Sequence, residues 1–314
     1  MKNQKVSRLL WIIIPAILWL GCASQEDKKG RFFLKGNEKL KENDLKGASE
    51  FYTEALKIDP DFADALLNRG IVYSRLNNLD AAIADFSNII TIGSPIDSTA
   101  YFQRGLTYLD NGENYKALSD AENLLKISPE SWKSYFLLGL AKERLKDYKA
   151  ALEAFEQGLA FNPNNPDLMV NMATIHYYQK DYINAIRLLE SAENSNPREA
   201  NIYNLRSMIA FEKEAYEEAL DWVEKAIEMN PRMSFFHNNR GLYFLYLDEL
   251  EKAIADINYS IKQTPKNPYA WRNKGIYYYL KGDKTSAIKY LEDAKNHDPN
   301  MDLVDEYLVK ARSL

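Results

Sequence analysis

Five amide side chains recur along the sequence at intervals of 34 or 35 residues, or of twice 34. They are Asn68, Gln103, Asn171, Asn239 and Asn273. An amide offers two N–H donors and one oxygen acceptor, so a row of amides matches the N–H and C=O groups of an extended peptide, whatever its side chains. The spacing therefore predicts a surface that binds a peptide. Two alternatives stay open, in which the amides only hydrate an inner surface or connect one repeat to the next.

Other side chains that could do chemistry form no catalytic or metal-binding pattern. The three histidines, His176, His237 and His297, occupy different places in the repeat, and the chain has a single cysteine, so no metal-ligand spacing arises. Nucleotide-binding glycine loops and serine-nucleophile motifs are absent from the sequence. We therefore expect a protein that is not an enzyme, with no catalytic residue, no cofactor and no metal.

The amides lie within a repeated unit of 34 residues, marked by prolines at Pro129, Pro163, Pro197, Pro231, Pro265 and Pro299. Each unit carries two apolar stripes at helical spacing, which predicts a helix-turn-helix. The twentieth residue of every unit is alanine, and the eighth is glycine in six of the eight units, which indicates two helices that cross closely. The predicted units are 29–62, 63–97, 98–131, 132–165, 166–199, 200–233, 234–267 and 268–301.

The unit resembles the tetratricopeptide repeat over residues 29–301. In the last unit "WRNKGIYY" matches the family pattern through Trp271, Gly275 and Tyr278, and Ala287 and Pro299 continue it. The resemblance implies an all-α fold, an α-solenoid in which eight units form a right-handed superhelix and the first helices line a concave groove. Residues 302–314 are expected to form a helix that caps the last unit.

If the second, sixth, ninth and thirteenth places of each first helix share one stripe, that stripe faces the groove. Some grooves of this family carry an asparagine ladder, and the five amides look similar. Aromatic residues join the stripe toward the C-terminus and are either ligand anchors or inter-repeat core. The candidates are Tyr178, Phe235, Tyr246 and Tyr269.

The family's clamp for acidic chaperone tails uses asparagines and cations at set places. Asn37 and Asn68 match the asparagines, whereas Phe33, Thr99 and Gln103 stand where cations are needed. The resemblance therefore does not extend to such a clamp.

Residues 1–21 are typical of a secretion signal, because a basic start precedes twelve uncharged, mostly apolar residues. Gly21 and Cys22 follow, and this junction resembles the lipobox of bacterial lipoproteins, in which the cysteine receives a lipid. We expect a lipid on Cys22, a tether over residues 22–28, and a place in the cell envelope, at the outer membrane. An uncleaved membrane anchor beside a stray cysteine is the alternative.

Composition narrows the class of partner. Apolar residues make up 46 % of the 314 residues and the formal net charge is -5, so the chain has material for a core but no overall excess of basic residues for nucleic acid. The sequence predicts a non-enzymatic scaffold that binds a peptide or helix of an envelope protein, with a docking regulator of an envelope enzyme, such as a cell-wall hydrolase, as the alternative. The oligomeric state stays open.

Overall fold

The computed structural model describes residues 25–314, which contain helices and turns but no strand. The predicted signal segment and Cys22 lie outside the described residues. The chain divides into two compact units that meet in sequence at Asn111 and Gly112, and each is described by itself. The helices of residues 25–111 are α1 Gln25–Lys41, α2 Leu45–Ile58, α3 Ala63–Arg75, α4 Leu79–Ile92 and α5 Asp97–Asp110.

Residues 112–314 contain twelve further helices. They are α6 Asn114–Ile127, α7 Trp132–Arg144, α8 Tyr148–Phe161, α9 Pro166–Tyr178, α10 Tyr182–Ser195, α11 Ala200–Glu212, α12 Tyr216–Met229, α13 Ser234–Tyr246, α14 Leu250–Gln263, α15 Pro268–Leu280, α16 Lys284–His297 and α17 Val304–Arg312. In chain order α1 to α16 alternate as the first and second helices of eight successive repeats, and α17 follows. The predicted all-α repeat fold is confirmed.

One boundary differs from the prediction. Helix α1 begins at Gln25, so residues 25–28 of the predicted tether are helical. Glu26 and Asp27 lie in the first turn, where negative charge favours the helix dipole. Lys29 also pairs with Glu26 at 2.9 Å and with Asp59, the C-cap residue of α2, at 2.8 Å, which connects this turn to the end of the next helix.

Small residues let the two helices of a pair approach closely, as the sequence predicts. A Cβ atom added to Gly139 of α7 would lie 2.3 Å from Cε1 of Phe155 on α8. A Cβ on Gly70 of α3 would lie 2.6 Å from Cε1 of Phe86 on α4. Such distances are far below van der Waals contact, so these glycines make room for the ring of the partner helix. The repeated alanines, such as Ala151, are completely buried.

The turn between the two helices of each pair has a constant conformation. One residue per turn has positive φ, and only two of the eight are glycine, Gly112 and Gly282. The others are Asn43, Asn77, Lys146, Lys180, Glu214 and Asp248. Left-handed backbone costs a residue with a Cβ about 1–2 kcal/mol, so packing of the flanking helices holds these turns.

Helix α17 covers the end of the last pair. Val304, Tyr307 and Leu308 are buried, and the ring of Tyr307 meets that of Tyr279 on α15 at 5.5 Å. Val309 is 70 % exposed and lies on the outer side of α17. The helix therefore closes the apolar edge of the array on one face and meets solvent on the other.

Candidate functional site

In residues 25–111 the predicted amides behave in two ways. Asn68 on α3 is half-buried, and its Nδ2 donates to Oδ1 of Asn37 on α1 at 3.0 Å. The hydroxyl of Tyr52 donates to the same oxygen at 2.8 Å. Gln103 on α5 is half-buried, and its side chain makes no hydrogen bond with another described residue. Asn68 therefore connects two repeats, whereas the amide of Gln103 is available.

In residues 112–314 two of the three amides also connect neighbouring repeats. Nδ2 of Asn239 donates to Oδ1 of Asn204 at 2.9 Å. Nδ2 of Asn273 donates to Oδ1 of Asn238 at 3.0 Å and to its carbonyl oxygen at 3.1 Å. Asn273 is 0 % exposed. The expectation that Asn273 lines an open groove is wrong, because the preceding repeat covers and hydrogen-bonds its amide.

Asn171 differs from these two. Its Nδ2 donates to the carbonyl oxygen of Asp167, one turn earlier in α9, at 2.7 Å, and the residue is half-buried. Its amide therefore stays within its own helix and can exchange that bond for a ligand. In the structure the amides of Asn68, Asn239 and Asn273 connect one repeat to the next, as one of the two alternatives states. A role in ligand binding stays a prediction for Asn68, Gln103, Asn171 and Asn239.

The predicted aromatic residues also separate into core and surface. Tyr246 is half-buried, and its ring lies 5.0 Å from those of Phe211 and Tyr216, so it belongs to the packing between repeats. Phe235 is partly covered by Phe236, whose ring centroid is 4.6 Å away. Tyr178 and Tyr269, by contrast, are 52 % and 48 % exposed.

Tyr178 belongs to a group of tyrosines that lie at the start of α8, the end of α9 and the start of α10. The ring of Tyr178 lies 5.8 Å from Tyr177 and 6.2 Å from Tyr148, and Tyr177 lies 6.1 Å from Tyr182. The hydroxyls of Tyr177 and Tyr182 donate to the carboxylate of Glu212 at 3.4 and 3.5 Å. We call the following set the tyrosine surface: Tyr148, Tyr177, Tyr178, Tyr182, Tyr269, Glu212 and Arg272.

Electrostatic coupling joins helices that are distant in sequence. Burial raises the pKa of the Tyr178 hydroxyl on α9, and the charges of Glu143 on α7 and Tyr269 on α15 raise it further. Burial likewise raises the pKa of Glu143. The surface around Tyr178 is therefore partly dehydrated.

Sequence reasoning selected Tyr178 and Tyr269 as site residues but missed the polar groups beside them. Arg272 has no basic counterpart at the fifth place of the other units, and Asp110 is the only other acid at the place of Glu212, so neither residue forms a recurring pattern. Rings, hydroxyls, a carboxylate and a guanidinium can bind a peptide by apolar contact and hydrogen bonds. Within residues 25–314 no group of three or more histidines, cysteines, aspartates or glutamates could hold a metal ion.

No helix in the described part of the chain combines the length and apolarity needed to cross a bilayer.

Family models described as tetratricopeptide repeat match this chain over most of its length. They cover residues 36–77, 63–92, 102–166, 144–209, 200–233 and 238–301. The human "DnaJ homolog subfamily C member 7" is 36 % identical over 121 residues, and the "Hsp70-Hsp90 organizing protein" of Triticum aestivum is 29 % identical over 111 residues. These matches involve 36 % and 35 % of this chain but only 24 % and 19 % of the two relatives.

Solved structures with a similar fold share little sequence with this chain. The complex "APC/C hetero-tetramer Cut9-Hcn1" aligns with a TM-score of 0.69 at 15 % identity, over 91 % of this chain and 55 % of that one. Yeast Tom70 aligns with a TM-score of 0.60 at 15 % identity, over 91 % and 64 %. Pseudomonas aeruginosa pilF aligns with a TM-score of 0.53 at 20 % identity, over 68 % and 97 %. At such identities the likeness concerns the fold.

The family models, the helix pairs and the close glycine contacts agree, and the chain belongs to the tetratricopeptide-repeat family, whose repeats mediate protein–protein interaction.

Proposed function

We propose that the chain is a non-enzymatic scaffold, anchored by a lipid on Cys22 to the outer membrane of a bacterial cell, that binds a segment of a cell-envelope protein. The observation that carries the binding role is the tyrosine surface, with Tyr178 and Tyr269 about half exposed. Tyrosine is enriched where protein interfaces are strongest, because its ring buries apolar area while its hydroxyl keeps a hydrogen-bond partner.

The N-terminal sequence supports the envelope location. Residues 1–8 carry only basic charge, residues 9–20 carry none, and Cys22 is the only cysteine of the chain. Twelve residues are short for a bilayer-spanning helix and fit the apolar core of a secretion signal. The cysteine then lies directly behind the signal, where lipidation would hold the repeats near a membrane.

The names of the relatives point to chaperone complexes, but the first repeats argue against a chaperone-tail clamp in this chain. Where such a clamp needs a cation, the ring of Phe33 packs against Phe62 at 5.0 Å and Tyr52 at 5.9 Å. An aromatic residue in this place supplies core packing instead of positive charge. The proposed partner is therefore a segment bound through aromatic contact and hydrogen bonds.

Photo-crosslinking in intact cells tests the proposed surface. A photoreactive amino acid replaces Tyr178 or Tyr269, and in the control it replaces Tyr115 on the second helix α6, which is 77 % exposed. We expect defined envelope proteins crosslinked at Tyr178 and Tyr269 and not at Tyr115. Equal capture at all three positions would refute a specific surface, and capture of one cell-wall hydrolase alone would favour the regulator alternative.

The lipid anchor needs a separate test. We expect the full chain to incorporate an alkyne-labelled fatty acid in bacterial cells and the Cys22→Ser variant to lack the label and to leave the membrane fraction. If the Cys22→Ser variant still carried the label, Cys22 would be excluded as the lipidated residue.

A further inference from the structure

Arg272, at the fifth place of the first helix of the last repeat, is buried and forms no ion pair with a described carboxylate. Its side chain lies in α15 and the residue is 7 % exposed. Its Nε donates to Oδ1 of Asn273 at 3.0 Å, and its Nη1 donates to the carbonyl oxygen of Asp302 at 3.4 Å. The ring of Tyr269 lies 5.3 Å from its Cζ. These hydrogen bonds go to neutral oxygens, and the carboxylate of Asp302 acts on the guanidinium through space without forming an ion pair with it.

Other partly buried arginines in the described residues do have a carboxylate partner. Arg69 pairs with Asp85, and Arg240 pairs with Asp256, each at 2.7 Å. Arg272 is the only buried arginine or lysine among residues 25–314 and has no carboxylate within 4.0 Å. Burial accordingly lowers the pKa of Arg272. A buried charge normally requires a partner, because removal from water costs several kcal/mol.

The guanidinium also keeps unused donors. Five N–H groups are available, and the two hydrogen bonds within the chain use two of them. Nη2 makes no hydrogen bond with a described residue and is not fully enclosed. Its free donors lie beside the half-exposed ring of Tyr269, so a ligand on the tyrosine surface can reach them.

We propose that Arg272 binds the side-chain carboxylate of an aspartate or glutamate in the partner segment, a step that rests on the proposed protein-binding function. A carboxylate fits the planar guanidinium and supplies the missing negative charge. Tyr178 and Tyr269 cover the neighbouring apolar part of the segment. Glu212, which accepts from Tyr177 and Tyr182, adds negative charge to the tyrosine surface and disfavours a group with two negative charges, so a single carboxylate is favoured over a phosphate.

Peptides selected from a random display library on the full-length chain test the proposal. Each selected peptide is compared with a version in which its acidic residues are changed to the matching amides. We expect this change to weaken binding about tenfold or more, and the Arg272→Gln variant to remove the difference. The exposed Arg232→Gln is the matched control. The proposal would be overturned if the acidic and the amide versions of a peptide bound equally well, or if Arg272→Gln still preferred the acidic version. Neither result would argue against protein binding itself.

A measurement on the guanidinium itself does not depend on finding a peptide. In NMR spectra the Nε–Hε signal of Arg272 is assigned by its loss in Arg272→Gln. This signal is then followed while the α-amide of N-acetylglutamate is added. We expect a saturable shift, and none with the α-amide of N-acetylglutamine. Absence of a shift, or a stronger response to inorganic phosphate, would overturn the carboxylate site. Failure to select any peptide, with this shift present, would count against the proposed function instead.

Stability separates a binding role from a structural one. Arg272→Gln removes a buried charge but also the hydrogen bond that Nε donates to Asn273, so its melting temperature is expected to fall less than that of Arg240→Gln. Arg240→Gln leaves Asp256 with one partner fewer and is expected to melt lower. A loss of thermal stability in Arg272→Gln as large as that in Arg240→Gln would make Arg272 a structural residue and overturn the proposal.

Discussion

Replacing Asn273 with alanine should destabilise the C-terminal repeats much more than the same change at Asn171. Asn273 is completely buried and hydrogen-bonds three groups, since it donates to Oδ1 and to the carbonyl oxygen of Asn238 and accepts from Nε of Arg272. Asn171 is half-buried and bonds only to a carbonyl oxygen of its own helix. The two residues occupy the same place in their repeats, so they form a matched pair.

The magnitude follows from the groups that lose their partner. Asn273→Ala leaves the buried side chain of Asn238 and Nε of Arg272 without hydrogen bonds, at about 1–3 kcal/mol for each buried group. From these two groups we expect a loss of about 2–6 kcal/mol in the free energy of unfolding. Asn171→Ala removes one local bond, and alanine favours the helix, so the expected change is below about 0.5 kcal/mol.

Hydrogen exchange is the suitable assay, because repeat arrays can unfold in segments. Exchange protection of α13 and α15 should fall in Asn273→Ala and stay unchanged in Asn171→Ala, while urea unfolding gives the free energy. Equal effects of the two variants would refute the inter-repeat role of Asn273. The same conclusion would follow if Asn273→Ala reduced partner binding without any change in protection.

Two further changes test the packing and the turns. Gly139→Ala places a Cβ 2.3 Å from the ring of Phe155 and should lower the free energy of unfolding by about 1–3 kcal/mol. The double variant that also carries Phe155→Leu should recover this loss. If urea unfolding showed no effect of Gly139→Ala, the close contact would be contradicted. Glu214 has a φ of 60°, so Glu214→Gly should raise the free energy of unfolding by about 0.5–1 kcal/mol. As the control, Glu217→Gly within α12 should lower it by about 1 kcal/mol. A loss of stability in Glu214→Gly would show that the turn is not strained.

The positions of the helices were predictable from the sequence because their causes are local. Apolar spacing, the repeated alanine and glycine, and the proline after each second helix act over a few residues, and they recur along the chain. Aspartates such as Asp147 and Asp283 cap second helices by accepting from backbone N–H groups three residues later, at 3.3 and 3.0 Å. The start of α1 was missed because its stabilising partner, Asp59, lies about one repeat away.

The roles of the amides depended on a partner in another repeat. Asn204 and Asn238 hold the fifth place of their first helices and meet the sixth-place amides Asn239 and Asn273 of the next repeat. Phe136 holds the fifth place before Asn171 and offers no amide, so Asn171 turns to its own helix. A search for paired fifth-place and sixth-place amides would have found this signal.

The sequence by itself determined the repeat, the helix pairs, and the close crossing at glycine and alanine, because each depends on residue types at short spacing. Only the tertiary structure decided which side chains are covered and which reach a ligand. That outcome depends on how successive repeats pack. Packing leaves Tyr178 and Tyr269 about half exposed but covers Tyr246, and it gives Arg240 a carboxylate partner but not Arg272. Residue type and spacing alone do not show these differences.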